Sequence, residues 1–138
     1  MKFYLVKMLE IYKPDKVDWM NFDVTKNNPY SYHHIVKRSD GGKSRPDNGA
    51  ILTRLSHKFL HYLEIFCPDA FYDYQRLFRR INDTNAPIAD ELVEEIDEIM
   101  QNVFNGSYEF TKNIDLDDLY NTYLTYYRDD ITVKKLVK

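Results

Sequence analysis

Cysteine is almost missing from this 138-residue chain. The single thiol, Cys67, excludes an internal disulfide framework and supplies too few thiolates for a cysteine-built zinc ribbon, so a reducing compartment is expected. Any metal must be held mainly through nitrogen or oxygen. No stretch approaches the roughly 18 uncharged apolar residues of a membrane-spanning helix. The opening run Met1-Lys2-Phe3-Tyr4-Leu5-Val6-Lys7 is broken by charge and followed by no small-residue cleavage site. The expectation is a soluble, cytoplasmic protein that makes no membrane contact. Internal repeats and low-complexity tracts are also absent, and the length allows one ordinary core, hence a single domain over 1–138.

A strong excess of one charge is lacking too. The formal net charge of -3 offers no global argument for nucleic-acid binding, but it averages two unlike regions. Between Lys37 and Lys58 stand six basic residues (Lys37, Arg38, Lys43, Arg45, Arg54, Lys58) against Asp40 and Asp47. Between Ile88 and Met100 stand six acids and no base. The basic patch is either a solvated loop or a track for a phosphate backbone, and what decides between them is the company it keeps.

That company is histidine. All four histidines fall between residues 33 and 61, as His33-His34, then Asn48, then His57 and His61. The connecting segment reads as strand from about Ser31 to Lys37, a loop that doubles back at Gly41-Gly42, and a second strand from about Gly49 to Thr53. A helix follows from about Leu55 to Phe66, capped by Thr53 or Ser56 and broken by Pro68. Residues 3–12 fit a short strand or a helix, and Trp19, Met20 and Phe22 form a small apolar cluster at the core's edge. Three more helices are expected: Asp69 to Ile81 with Phe71, Tyr74 and Phe78 on one face, Ile88 to Phe104, and Leu116 to Tyr127. The basic tail beyond Thr132 is expected to fray. The fold class is therefore α+β, a mainly helical small domain with an embedded strand-strand-helix unit.

On a helix, His57 and His61 four apart share one face, which suits two nitrogens on one ion. On a strand, neighbouring His33 and His34 point to opposite sides, so one can enter a metal shell while the other does something else. Phosphodiester hydrolysis needs that division: a cation at the phosphate and a separate neutral imidazole to take a proton from water.

The segments Tyr32-His33-His34-Ile35, Gly41-Gly42, Asp47-Asn48-Gly49 and Leu55-Ser56-His57-Lys58-Phe59-Leu60-His61 resemble the ββα-metal (His-Me) finger of HNH endonucleases. The likeness is to the histidine-rich version found in nuclease colicins and many phage-encoded nucleases. It covers about residues 31–66, somewhat under a third of the chain, with the helical remainder at about 69–128 as an extension. The resemblance implies a metal-dependent DNA endonuclease, a hydrolase in which His33, His57 and His61 bind the metal and His34 is the general base. It further implies that Asn48 braces the loop so that a backbone carbonyl orients His34. Arg38, Lys43, Arg45 and Arg54 are the candidates for phosphate contacts. The cysteine pairs of many HNH proteins are absent, and Ser31 stands where the colicin-like members tend to carry an acid.

Three imidazoles favour zinc or nickel by affinity, whereas magnesium or manganese at work would keep more waters, so the resting ion need not be the catalytic one. The alternative is a non-catalytic, zinc-stabilised module that binds nucleic acid or protein, for which His34 is dispensable. The few basic residues do not separate DNA from RNA. Cutting both strands takes two sites or two binding events, which leaves a homodimer open. The acidic helix at 88–104 is a solvated face or a dock for a protein partner.

Overall fold

The computed structural model describes residues 1–127. The basic tail beyond Thr132 lies outside the described residues. Helix α1 (Phe3–Tyr12) buries Leu5, Met8 and Tyr12, whose spacing puts them on one face. That settles the strand-or-helix ambiguity of the first dozen residues in favour of a helix. The helix stops because Lys13 turns left-handed (φ 47°) and Pro14 follows.

The segment after α1 is irregular but not peripheral. Trp19 and Phe22 are fully buried and Met20 nearly so, which places them inside the core rather than at its edge. The backbone N–H of Trp19 donates to Ile51 O at 2.8 Å, laying this segment along the free side of strand β2 (Gly49–Thr53). Strand β1 (Tyr30–His34) pairs antiparallel with β2 on its other side, with His33 opposite Ala50 and His34 opposite Gly49. All five residues of β2 are buried. A Cβ on Gly49 would lie 2.3 Å from a ring carbon of Tyr32 and 2.6 Å from the Met8 sulfur, so only glycine lets α1 close on the strand there. β1 is shorter than the sequence suggests and ends at His34: Ile35 N–H still donates in register to the Asn48 carbonyl at 2.9 Å, but Asn48 N–H turns back to Arg45 O at 3.1 Å instead of returning the bond.

Helix α2 (Arg54–Phe66) starts directly from β2. Thr53 is its N-cap: its side chain accepts from Ser56 N, and Ser56 Oγ accepts in return from Thr53 N. Such reciprocal capping contributes about 1 kcal/mol and fixes where the helix begins. Helices α3 (Pro68–Thr84), α4 (Asp90–Phe104) and α5 (Leu116–Tyr127) follow. Phe71, Tyr74 and Phe78 of α3 are all buried, as the periodicity predicts. The acidic α4 buries Ile96, Met100 and Val103 and sends its acids outward, Glu95 pairing with Arg80 at 2.6 Å. Tyr123 of α5 meets Phe22 and Phe59 edge to face or tilted at 5.6 and 5.7 Å between ring centres. One continuous cluster of buried side chains joins all these elements. The whole is a small α+β domain in which a two-stranded sheet has α1 on one face and α2 and α3 on the other. Among the described residues no helix is long and apolar enough to cross a membrane.

Candidate active site

Strand pleat decides which side chains of β1 meet the helices. Ser31 and His33 share one face, where Ser31 Oγ lies 3.2 Å from His57 Nδ1 and the His33 ring stands 5.3 Å from that of His57. Tyr32 faces α1, its ring 4.4 Å from that of Tyr4. His34, the last residue of β1, packs against Tyr32 but sits at the sheet's end, where it reaches the same cleft as His33. The cleft has a volume of about 390 Å³, and all four histidines line it together with Arg38 and Glu64.

His33 is 8% exposed. Burial, reinforced by the charges of His57 and His34 and opposed by a hydrogen bond to Gln75, pushes its imidazole down to about 4. His57 is also held below the ordinary imidazole range, first by burial and then by His61 and His34. Both rings are therefore neutral at physiological pH, which is the form a metal ligand must have. His34 too lies below the usual range, through burial and then the charge of Arg38. A base in that position is unprotonated and available at neutral pH.

Each prospective ligand has one ring nitrogen engaged by a neighbour: His33 Nε2 with Gln75 Oε1 at 2.6 Å, His57 Nδ1 with Ser31 Oγ, and His61 Nδ1 with Glu64 Oε1 at 3.3 Å. Glu64 also pairs with Lys37. Outer partners of this kind are what orient metal-binding imidazoles and leave the second nitrogen for the ion. Among the described residues, no three His, Cys, Asp or Glu side chains stand in a closed metal-holding group. Two of the three, His33 and His57, nonetheless suit a borderline divalent cation: both rings are neutral, one nitrogen of each is spoken for, and their 5.3 Å separation is one that two imidazoles sharing an ion at about 2.1 Å per bond can span.

Asn48 is buried and braces the loop. Its Nδ2 donates to Val36 O (3.0 Å) and Lys43 O (2.9 Å), and its Oδ1 accepts from Val36 N (2.9 Å). Gly42 belongs to the same knot, since a Cβ there would fall 1.8 Å from Val36 O. The orientation of His34 takes a different form from the one implied by the resemblance. The Asn48 carbonyl is used by Ile35, and the His34 ring instead meets Ser44 Oγ at 2.8 Å through Nε2. A hydroxyl donates or accepts, so this contact holds the ring without dictating its tautomer.

Of the four basic candidates, only Arg38 lines the cleft. Arg45 pairs with Asp47 at 3.1 Å, Arg54 reaches Asn27 O at 3.4 Å, and Lys43 is exposed on the loop. Cys67 is buried, and burial raises its thiol, in keeping with an inert apolar role.

The helix α3 was expected from its apolar period, but the polar residues by which it backs the site were not. On α3, Gln75, Arg79 and Asn82 recur on successive turns beside the apolar stripe. Gln75 serves His33 and Ile35 O, Arg79 donates to Asp47 O at 2.8 Å, and Asn82 donates to Pro46 O and Gly49 O, both at 2.7 Å. The spacing of these three was the only signal in the sequence, and it gains meaning once α3 is known to lie behind the strands. No family model matches the chain, and neither a curated protein nor a solved structure does.

Proposed function

We propose that the protein is a metal-dependent endonuclease that hydrolyses DNA phosphodiester bonds, with His34 as general base. The observation that carries this reading is that four histidines from a strand and a helix line one cleft together with Arg38. A non-catalytic zinc clip has no use for the fourth imidazole or for the arginine.

His33, His57 and His61 are the residues that would hold the ion, and a divalent cation bound there would supply Lewis acidity to the scissile phosphate and the departing oxygen. His34, neutral at physiological pH, takes the proton from the attacking water. The water oxygen bonds to phosphorus in line with the leaving oxygen, whose bond breaks and which takes up a proton from solvent. By the HNH resemblance the products carry a 5'-phosphate and a 3'-hydroxyl. Arg38 offers a guanidinium to the non-bridging phosphate oxygens as charge builds on them. Asn48 and Gly42 hold the loop that carries Arg38.

The test is nicking of supercoiled plasmid by metal-stripped protein to which magnesium, manganese, nickel or zinc is returned separately. Cleavage that depends on one or more of these ions supports the reading. Stoichiometric metal binding without cleavage under any of them would overturn it in favour of a structural module.

A further inference from the structure

We propose that Gln75 is a positioning residue for His33: it holds the imidazole as the Nε2–H tautomer and so leaves the lone pair on Nδ1 for a divalent cation. The inference rests on the metal-binding part of the reading above and adds a residue from outside the strand-strand-helix unit.

The chemistry of the contacts dictates the assignment. The backbone carbonyl of Ile35 can only accept, so the atom of Gln75 that lies 2.8 Å from it must be the amide NH₂. That fixes the amide's orientation and turns its carbonyl oxygen toward His33. A carbonyl oxygen also only accepts, and it lies 2.6 Å from His33 Nε2, so Nε2 must carry the hydrogen. A neutral imidazole has one N–H, and the lone pair is therefore on Nδ1. His33 has no such freedom as the hydroxyl of Ser44 gives His34.

The lever is rigid. Gln75 follows the fully buried Tyr74 and lies one turn before Phe78, whose ring meets that of His33 at 5.8 Å. The next turns of α3 grip the loop at Asp47 and Gly49 through Arg79 and Asn82. One helix thus sets both the direction of a ligand nitrogen and the course of the loop that closes the cleft. An isolated strand-strand-helix unit would leave the His33 tautomer to chance, and a ligand that spends part of its population with hydrogen on the wrong nitrogen binds more weakly.

Long-range proton–nitrogen correlation spectra of the histidine rings in the full-length, ¹⁵N-labelled protein test this directly. In metal-free wild type His33 is expected as Nε2–H, and added zinc should shift its Nδ1. An Nδ1–H ring, or coordination through Nε2, would overturn the proposal without recourse to any variant. In Gln75→Met, close in volume but without a carbonyl, the tautomer preference should be lost and zinc affinity should fall about tenfold or more. An unchanged tautomer and unchanged affinity in that variant would also overturn it. The two readings fail separately. Zinc at His33 Nδ1 in a protein that nicks nothing sinks the nuclease and supports Gln75, whereas nicking with His33 held as Nδ1–H does the reverse.

Discussion

The carboxylate of Asp18 accepts a hydrogen bond from Ser56 Oγ at 2.5 Å, tying the irregular segment before β1 to the first turn of α2. Asp18 also accepts from the backbone N–H groups of Met20 and Phe22 at 2.8 and 2.9 Å. It is 2% exposed, and burial outweighs these hydrogen bonds, raising its carboxyl from 3.8 to about 6. The residue that positions α2, and with it His57 and His61, is thus a buried acid held against its own ionisation.

A carboxyl raised in the folded state binds its proton more tightly there than in the unfolded chain. Its contribution is therefore fully present below pH 3.8 and is lost as pH rises through about 6. Urea unfolding of wild type and Asp18→Asn across pH 4 to 7 isolates it. The wild type should lose on the order of 2–3 kcal/mol relative to the variant over that range. A gap that does not change with pH would show that Asp18 titrates normally.

The loop knot makes a prediction for stability. Asn48→Ala removes two donors and one acceptor from backbone groups of Val36 and Lys43 and should cost about 2–4 kcal/mol. Gly42→Ala forces its Cβ against a backbone oxygen, which cannot swing aside as a side chain would, at a cost of about 1–3 kcal/mol. Hydrogen exchange at the Val36 amide should accelerate in both. Native protection in either variant would mean that the knot is not what holds the loop.

Glu64 is shared between His61 and Lys37. Calorimetric titration with zinc should show affinity reduced about tenfold in Glu64→Gln, and reduced further in His57→Ala and His61→Ala, which lose a ligand outright. The zinc-induced rise in melting temperature should shrink in the same order. Zinc binding that is indifferent to all three substitutions would remove these residues from the metal site.

Arg38→Ala should slow cleavage roughly 100-fold at saturating metal while zinc affinity stays unchanged. Arg45→Ala and Arg54→Ala, whose guanidinium groups are engaged away from the cleft, should slow it far less. Equal losses at all three positions would point to diffuse electrostatic attraction instead of a contact at the reacting phosphate.

Much of this architecture was legible from residue order. β2 begins and ends where the glycine and threonine signals place it, and α2 and α5 lie within a residue of expectation. Local chemistry governs those boundaries: a capping threonine, a proline, a glycine that permits close approach. The histidine cluster was visible because its spacing is short. What escaped was long-range. Trp19 and Phe22 occupy an irregular segment with no period, so nothing local announced that they enter the core. Gln75 acts on a histidine far away in the chain, and its role exists only after α3 has docked on the strands, whereas Glu64 meets His61 within one turn of α2 but reaches Lys37 only through the fold. Ser44 was invisible for a related reason, since loop geometry, not sequence spacing, brings its hydroxyl to His34.

The central claim is that His34 is a base and not a ligand, and one comparison tests it most directly. Single-turnover nicking of plasmid by wild type and His34→Ala should be measured at saturating metal, beside calorimetric zinc titrations of both. The account predicts equal zinc affinity and the same fold, with cleavage lost by 100-fold or more, about the contribution of a positioned general base. Undiminished cleavage by His34→Ala, or zinc affinity that collapses along with it, would contradict the account.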